Sequence, residues 1–390
     1  MSNNSALYNV YQRRGLSFVK GEGVWLETQD GDKYLDCFAG VGVNAFGHAN
    51  PVLIEALIEQ AHKVWHISNI FVNPLQEELA QKLCDISFAD KVFFANSGAE
   101  AVECAIKTAR KYHAQLGNVN RYEIITFVNS FHGRTLATIS AGGNPKYTDG
   151  FEPILKGFKH VDLGNKEDVL ASISEKTAAI LIEPIQGEGG VFPVEEEFLR
   201  FLRETCDKYG LLLIYDEIQC GFGRTGKMFA YEWSNVAPDI MTIAKAMGSG
   251  FPVGACLATN IVANSMVAGS HGSTFGGNAL AMAVALKTLD LMQQNGFLES
   301  VQQRASELMT GLKDLQNKYP HLISDIRGKG LMLGLKPVFS NLELVQKLQD
   351  KFILAITAGD NIVRLLPPLI ITQEQIQLIL SSLDEIFQSY

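Results

Sequence analysis

From about Pro74 the chain alternates helix-period segments with short apolar runs, and no other feature restricts its fold as much. The runs read KVFFA, YEIITFV, AAILIEPI, LLLIYDE, IMTIA and PVGACLA, and the segments between them include Ala99 to His113 and Glu195 to Tyr209. Strands that alternate with helices are joined by crossovers, which build a largely parallel sheet covered on both faces. The expected fold is therefore α/β, a mostly parallel sheet held between helices.

The two ends read differently. GVWLETQDGDKYLDCF near the N-terminus is a hairpin pattern turning at Asp30-Gly31, and a lone hairpin needs something to pack on. A long apolar-rich helix spans Gly277 to about Asn295. Beyond it come a helix, DIRGKGLMLGLK, another helix, FILAITA, NIVRLLP and a last helix from Gln373. We expect a large domain over 61–295 and a smaller α+β domain over 296–390, with the N-terminal segment, 1–60, packing on the latter.

Charge and cysteine usage exclude several function classes. The formal net charge of −9, with no lysine- or arginine-rich run, argues against nucleic acid and against an anionic membrane surface as partners. The 6 cysteines are scattered without a C-x-x-C pair, and His62 and His66 have no accompanying carboxylate pattern, so neither a metal site nor a disulfide framework is expected. The opening MSNNSALYNVYQRRG lacks the plan of a signal peptide, and no apolar run reaches the roughly 18 residues that span a bilayer. A cytoplasmic protein is expected.

The polar residues that stand out fall at strand ends, where open α/β sheets bind their ligands. In FFANSGAEAVECAIK a strand runs into Asn96-Ser97-Gly98-Ala99 and a helix follows at once. Small residues there leave free backbone N–H groups at the positive end of a helix, a seat for phosphate. Asp216 closes LLLIYD and, if buried, needs a cation. Phe131, His132 and Arg134 follow another strand, offering an aromatic face, a ring nitrogen and a guanidinium. Glu183 closes AAILIE, with Glu188 in the glycine-rich loop after it, and Arg364 stands among apolar residues in NIVRLLPPL, where it needs an anion. Lys245 sits between the apolar run Ile240 to Ala244 and the turn Gly248-Ser249-Gly250. A lysine in that setting is either a solvated side chain or a carbonyl-binding amine. One small molecule uses most of this set. Pyridoxal phosphate brings a phosphate for the helix N-terminus, a protonated ring nitrogen for an aspartate and an aldehyde for a lysine.

In the same order the chain carries YLD, GHANP, WHISN, NSGAEA, FHGRTLA, EPIQGEGG, DEIQCGFGRTG, AKAMGSGFPVGA, STFGGN and VRLLPPL. With these motifs it resembles the ornithine-aminotransferase-like group of fold type I pyridoxal-phosphate enzymes, from about Val19 to the final helix. The resemblance implies a fold type I large domain with a seven-stranded type of sheet. It implies Lys245 as the Schiff-base lysine, Asp216 as partner of the pyridinium and Gln219 near the ring hydroxyl. Gly98 and Ala99 would cradle the phosphate beside Ser97, joined by Thr274 from a second subunit, with Ser273 near the substrate. Phe131 would stack on the ring, with His132 and Glu183 among the cofactor-binding residues. Arg134 would hold the α-carboxylate of N2-acetylornithine and Arg364 a glutamate carboxylate, with Glu188 as the acidic switch that masks Arg364. The reaction implied moves the terminal amino group of N2-acetylornithine to 2-oxoglutarate, giving N-acetylglutamate 5-semialdehyde and glutamate, in a homodimer with shared sites. Ornithine, succinylornithine and 4-aminobutyrate aminotransferases, and a semialdehyde-type aminomutase, share the cofactor and stay open; so, in another class, does a noncatalytic binding protein on the same fold. Ser249 stands where the group often has glycine, and Val102 and Cys104 replace residues more usual behind SGAEA.

Overall fold

A computed structural model describes residues 6–390. Its first sheet is a meander of β1 (Phe18–Glu22), β2 (Trp25–Thr28) and β3 (Lys33–Asp36). The hairpin at Asp30-Gly31 joins β2 to β3. After helix α1 (Pro51–Ala61), the large sheet takes its seven strands from β4 (Lys91–Ala95), β5 (Glu123–Phe127), β6 (Phe158–Val161), β7 (Thr177–Ile182), β8 (Leu212–Asp216), β9 (Ile240–Ile243) and β10 (Gly254–Ala258). Their order across the sheet is β4-β10-β9-β8-β7-β5-β6. β10 runs antiparallel to both its neighbours, while the pairs from β9 to β6 are parallel. The fold is thus the mixed α/β arrangement expected from the alternation. β6 is the strand that periodicity missed: Phe158, Lys159, His160 and Val161 form an edge, which needs only one apolar face.

Helices cover both faces of this sheet. Val102, Ala105, Ile106 and Ala109 of α2 (Gly98–Gln115) pack with Leu181, Ile214 and Ile240 on one side. Phe198, Leu199, Leu202 and Cys206 of α3 (Glu196–Tyr209) pack with Ile180, Leu213 and Tyr215 on the other. β7 and β8 are buried along their whole length, which is why they read as continuous apolar runs. Then α4 (Ala279–Met292) and α5 (Phe297–Lys318) lead to the last sheet.

Two C-terminal motifs divide where the sequence read one unit. DIRGKGLMLGLK is a hairpin, β11 (Ile323–Lys329) with β12 (Met332–Pro337), because Gly330 at φ 63 turns the chain with its α-carbon against Thr225. FILAITA splits into β13 (Ile353–Leu354), which adds to the meander parallel to β3, and β14 (Ile356–Ala358), which joins β15 (Ile362–Leu365). The N-terminal meander and the C-terminal unit therefore share backbone pairing. α6 (Gln373–Gln388) closes the chain with Thr372 as its cap. Among the described residues no helix is long and apolar enough to cross a membrane, and no group of three or more His, Cys, Asp or Glu could hold a metal.

Candidate active site

The strand ends converge on one cavity of about 430 Å³, within the range of small-molecule sites. β4 delivers Asn96 and Ser97, β5 leads to Phe131, His132 and Arg134, β7 to Glu183, β8 to Asp216 and Gln219, and β9 to Lys245; all of these line it. Five C-terminal strand ends thus supply its wall.

The α2 N-terminus is built as an anion seat. Ser97 is extended at φ −151 and accepts from Glu100 N with its Oγ at 3.3 Å. Glu100 reaches back to the Asn96 N–H at 2.6 Å. The N–H groups of Gly98 and Ala99 have no backbone partner among the described residues, and both residues line the cavity. A Cβ at Gly98 would lie 2.8 Å from Ile218 Cδ1, so a side chain there would force the isoleucine or the helix start to shift.

Asp216 meets a histidine and not an arginine. Its Oδ2 lies 2.8 Å from His132 Nδ1, and its Oδ1 accepts from Ile218 N at 3.1 Å. With a carboxylate opposite, Nδ1 is the donor, and His132 Nε2 is buried without a partner. Burial disfavours the imidazolium, but the bond to Asp216 and its charge outweigh this and raise the ring's pKa. Glu183 accepts from Phe131 N at 3.0 Å and Gly187 N at 3.3 Å. Burial, joined by the charge of Asp216, pushes its carboxyl up to about 7.

The Lys245 side chain is partly buried and makes no hydrogen bond or ion pair with any described residue. Desolvation first, then the positive charge of Arg364, bring its ammonium down to about 8. Its backbone is left-handed, φ 43, in the short turn Lys245–Met247 that ends β9. A non-glycine residue in that region is strained by about 1–2 kcal/mol. Ser249 is also left-handed, φ 43, and its Oγ accepts from Phe46 N at 3.0 Å. That bond gives the serine a use where a glycine would relieve the backbone.

Two predicted residues lie behind the cavity wall. Arg364, fully buried on β15, places Nη2 2.7 Å from Glu188 Oε1 and donates from Nη1 to Gln219 Oε1 at 2.8 Å. Gln219 therefore stands between that ion pair and the cavity. Ser273 and Thr274 are apart from the rest. Ser273 Oγ touches the site only through Asn96 Nδ2, at 3.2 Å, and Thr274 is exposed and absent from the lining.

Sequence reading missed Ile218, which packs against the helix start at Gly98, and Tyr147. The Tyr147 ring lies 4.0 Å from the Arg134 guanidinium and 5.7 Å from the Phe131 ring, at 84°. Its signal, a tyrosine in the polar turn NPKYTDGF, is indistinguishable from an ordinary surface loop.

The donor set fits pyridoxal phosphate. There are two open N–H groups for an anion, a buried carboxylate for a ring cation, an aromatic ring on the wall and an unpartnered amine of lowered basicity. Nothing in this wall resembles a dinucleotide seat.

Comparison with known proteins agrees. Residues 8–387 match the family model described as aminotransferase class-III. The chain is 55% identical over 372 residues to the acetylornithine aminotransferase of Mesorhizobium japonicum, covering 95% of this chain and 93% of that one. Among solved structures it is similar to ornithine aminotransferase from Toxoplasma gondii, with TM-score 0.93, 30% identity and coverage of 98% and 93%. It is also similar to acetylornithine aminotransferase from Elizabethkingia anophelis, with TM-score 0.87, 34% identity and coverage of 98% and 96%. The chain belongs to the class-III aminotransferases, enzymes that move amino groups with pyridoxal phosphate.

Proposed function

We propose that this aminotransferase takes the terminal amino group of N2-acetylornithine and delivers it to 2-oxoglutarate, releasing N-acetylglutamate 5-semialdehyde and glutamate. The observation that carries the reading is the pairing of two arginines in different states. Arg134 presents an unpaired guanidinium at the cavity, while Arg364 is held behind Gln219 by Glu188. A donor with one carboxylate needs the first alone; an acceptor with two can use both.

When bound, the cofactor supplies an electron sink that makes a proton on the amine-bearing carbon removable. The residues act around it. Gly98 and Ala99 would hold its phosphate and Phe131 its ring, and Asp216, itself held by His132 Nδ1 and Ile218 N, would favour the protonated ring nitrogen. Glu183 fixes the Phe131 backbone and the Gly187 turn. Gln219, on the cavity wall, would be among the residues that hold the cofactor. Lys245 Nζ would hold the cofactor through its aldehyde and, as a free amine, would be the base placed to move the proton that the cofactor makes removable. An amine lowered to about 8 is a competent base near neutral pH.

The working form is a homodimer in this reading. Trp65, Ile70, Phe71, Val72 and Phe275 are exposed close to Ser273 and Thr274, which Asn69 ties to this segment by donating to Ser273 O at 3.0 Å. Grouped exposed apolar residues mark an interaction surface. A second copy would cover it, and Thr274 from that copy would be a further residue to hold the phosphate.

The test is a donor screen on purified protein. N2-acetylornithine should bleach the cofactor's near-visible absorbance and 2-oxoglutarate should restore it, with glutamate formed in equal amount. Ornithine, succinylornithine and 4-aminobutyrate run beside it. A kcat/KM for any of them above that for acetylornithine would replace the donor assignment.

A further inference from the structure

Arg134 is held in an unusual way. It is exposed, and its five N–H donors make no hydrogen bond or ion pair with any described residue. What it touches is aromatic: its guanidinium carbon is 4.0 Å from the Tyr147 ring centroid and 5.5 Å from that of Phe131. The two rings stand at 84° to each other, so the cation sits in a corner between them. A cation gripped through its π-face keeps its hydrogen-bonding edge free.

The corner is fixed by backbone. Tyr147 lies in the short helical turn Pro145–Thr148, capped by the Asn144 side chain, which accepts from Lys146 N at 3.0 Å. Gly143 before it has φ 60, and a Cβ there would lie 2.5 Å from His160 Cδ2. His160 in turn is anchored, its Nε2 2.9 Å from Ser140 O. The turn is thus seated against a strand of the large sheet.

We propose that Tyr147 is the positioning residue for Arg134, holding the guanidinium by its face so that the edge is preset for a substrate carboxylate. The proposal rests on the reading of Arg134 as a carboxylate site. Without the ring, a long side chain with no hydrogen bond samples many rotamers, and a carboxylate must pay to select one. The phenol also neighbours the second arginine's ion pair: burial first, and then the charge of Glu188, raise its pKa.

Tyr147→Leu keeps apolar bulk and loses the ring; Tyr147→Phe keeps the ring and loses the hydroxyl. Holoenzyme is titrated calorimetrically with glutarate, an unreactive dicarboxylate. Tyr147→Leu should raise its Kd roughly tenfold, and Tyr147→Phe should restore it to within about twofold of wild type. KM for acetylornithine should follow the same pattern, while kcat/KM for n-pentylamine, which has no carboxylate, moves less than about twofold. An unchanged glutarate Kd in Tyr147→Leu overturns the proposal. So does an equal loss on pentylamine and acetylornithine, which marks a merely structural tyrosine. Should acetylornithine prove not to be a substrate of the wild type, the donor assignment fails, and the glutarate titration still decides Tyr147.

Discussion

Glu188 Oε1 sits 2.7 Å from Nη2 of Arg364, a guanidinium with no exposed surface. Among the described residues no other carboxylate pairs with it, and its guanidinium's one other hydrogen bond goes to the neutral Gln219. Any substrate carboxylate that uses Arg364 must displace Glu188, so Glu188→Ala should favour glutamate over a donor that leaves the pair closed. The ratio of kcat/KM for acetylornithine to that for glutamate should fall roughly tenfold. Equal ratios in the two proteins would sink the switch. The variant should also unfold at lower temperature, because it leaves a buried cation without its anion.

Gly98 and Ile218 make a second, separable test. A methyl at position 98 meets Ile218 Cδ1 at 2.8 Å and Cγ2 at 2.9 Å, so the first turn of α2 or the isoleucine must shift. Gly98→Ala should weaken binding of pyridoxal phosphate by about an order of magnitude, read by absorbance titration of cofactor-free protein. Adding Ile218→Ala removes the clashing atoms and should recover most of the loss. No recovery in the double variant would place the damage elsewhere than at this contact.

These two contacts show what the sequence could and could not reveal. Asp216, Lys245 and Glu183 were legible because each interrupts or ends an apolar run, and a polar group there must have a reason. The open helix start at Gly98 and Ala99 was legible because NSGAEA joins a strand end to a helix start. Tyr147 was not legible, since its role comes from a turn folding back on Arg134, a contact that leaves no local pattern. The same holds for His132 as the partner of Asp216: both residues stood out, yet the 2.8 Å bond joins two strand ends 84 residues apart. FILAITA failed for a further reason. Its apolar run predicts burial but not which of two sheets each half will join.

Lys245 gives a prediction on stability. Its folded pKa, about 8, is below the ordinary 10.5, because burial and then the charge of Arg364 disfavour the ammonium. Below pH 8 both folded and unfolded chains carry the proton, and cofactor-free protein bears the full cost, of order 1–3 kcal/mol. Between pH 8 and 10.5 the unfolded chain binds more protons, so stability rises with pH. Lys245→Met removes the charge. The variant should be the more stable at pH 7, and its advantage should shrink as pH rises through that window. Urea melts of both cofactor-free proteins at pH 7 and 10 measure this; a constant difference would show that the ammonium is not desolvated. Activity of the variant should be abolished at any pH.

Glu183 carries the opposite sign. Burial, with Asp216 adding its negative charge, lifts its carboxyl from about 4.5 to about 7. Below 4.5 the group is neutral in both states and costs nothing. As pH rises from 4.5 to 7 the unfolded chain loses the proton while the folded chain keeps it, so stability falls. Above 7 the folded protein holds a buried carboxylate, offset only in part by the N–H groups of Phe131 and Gly187. Glu183→Gln is uncharged throughout and keeps one acceptor for those N–H groups. Relative to wild type, the variant should gain about 1–3 kcal/mol between pH 5 and 8. Denaturant melts at those two pH values decide it. Parallel curves would mean that Glu183 ionises normally, so that the tie between Phe131 and the Gly187 turn is made by an ordinary carboxylate.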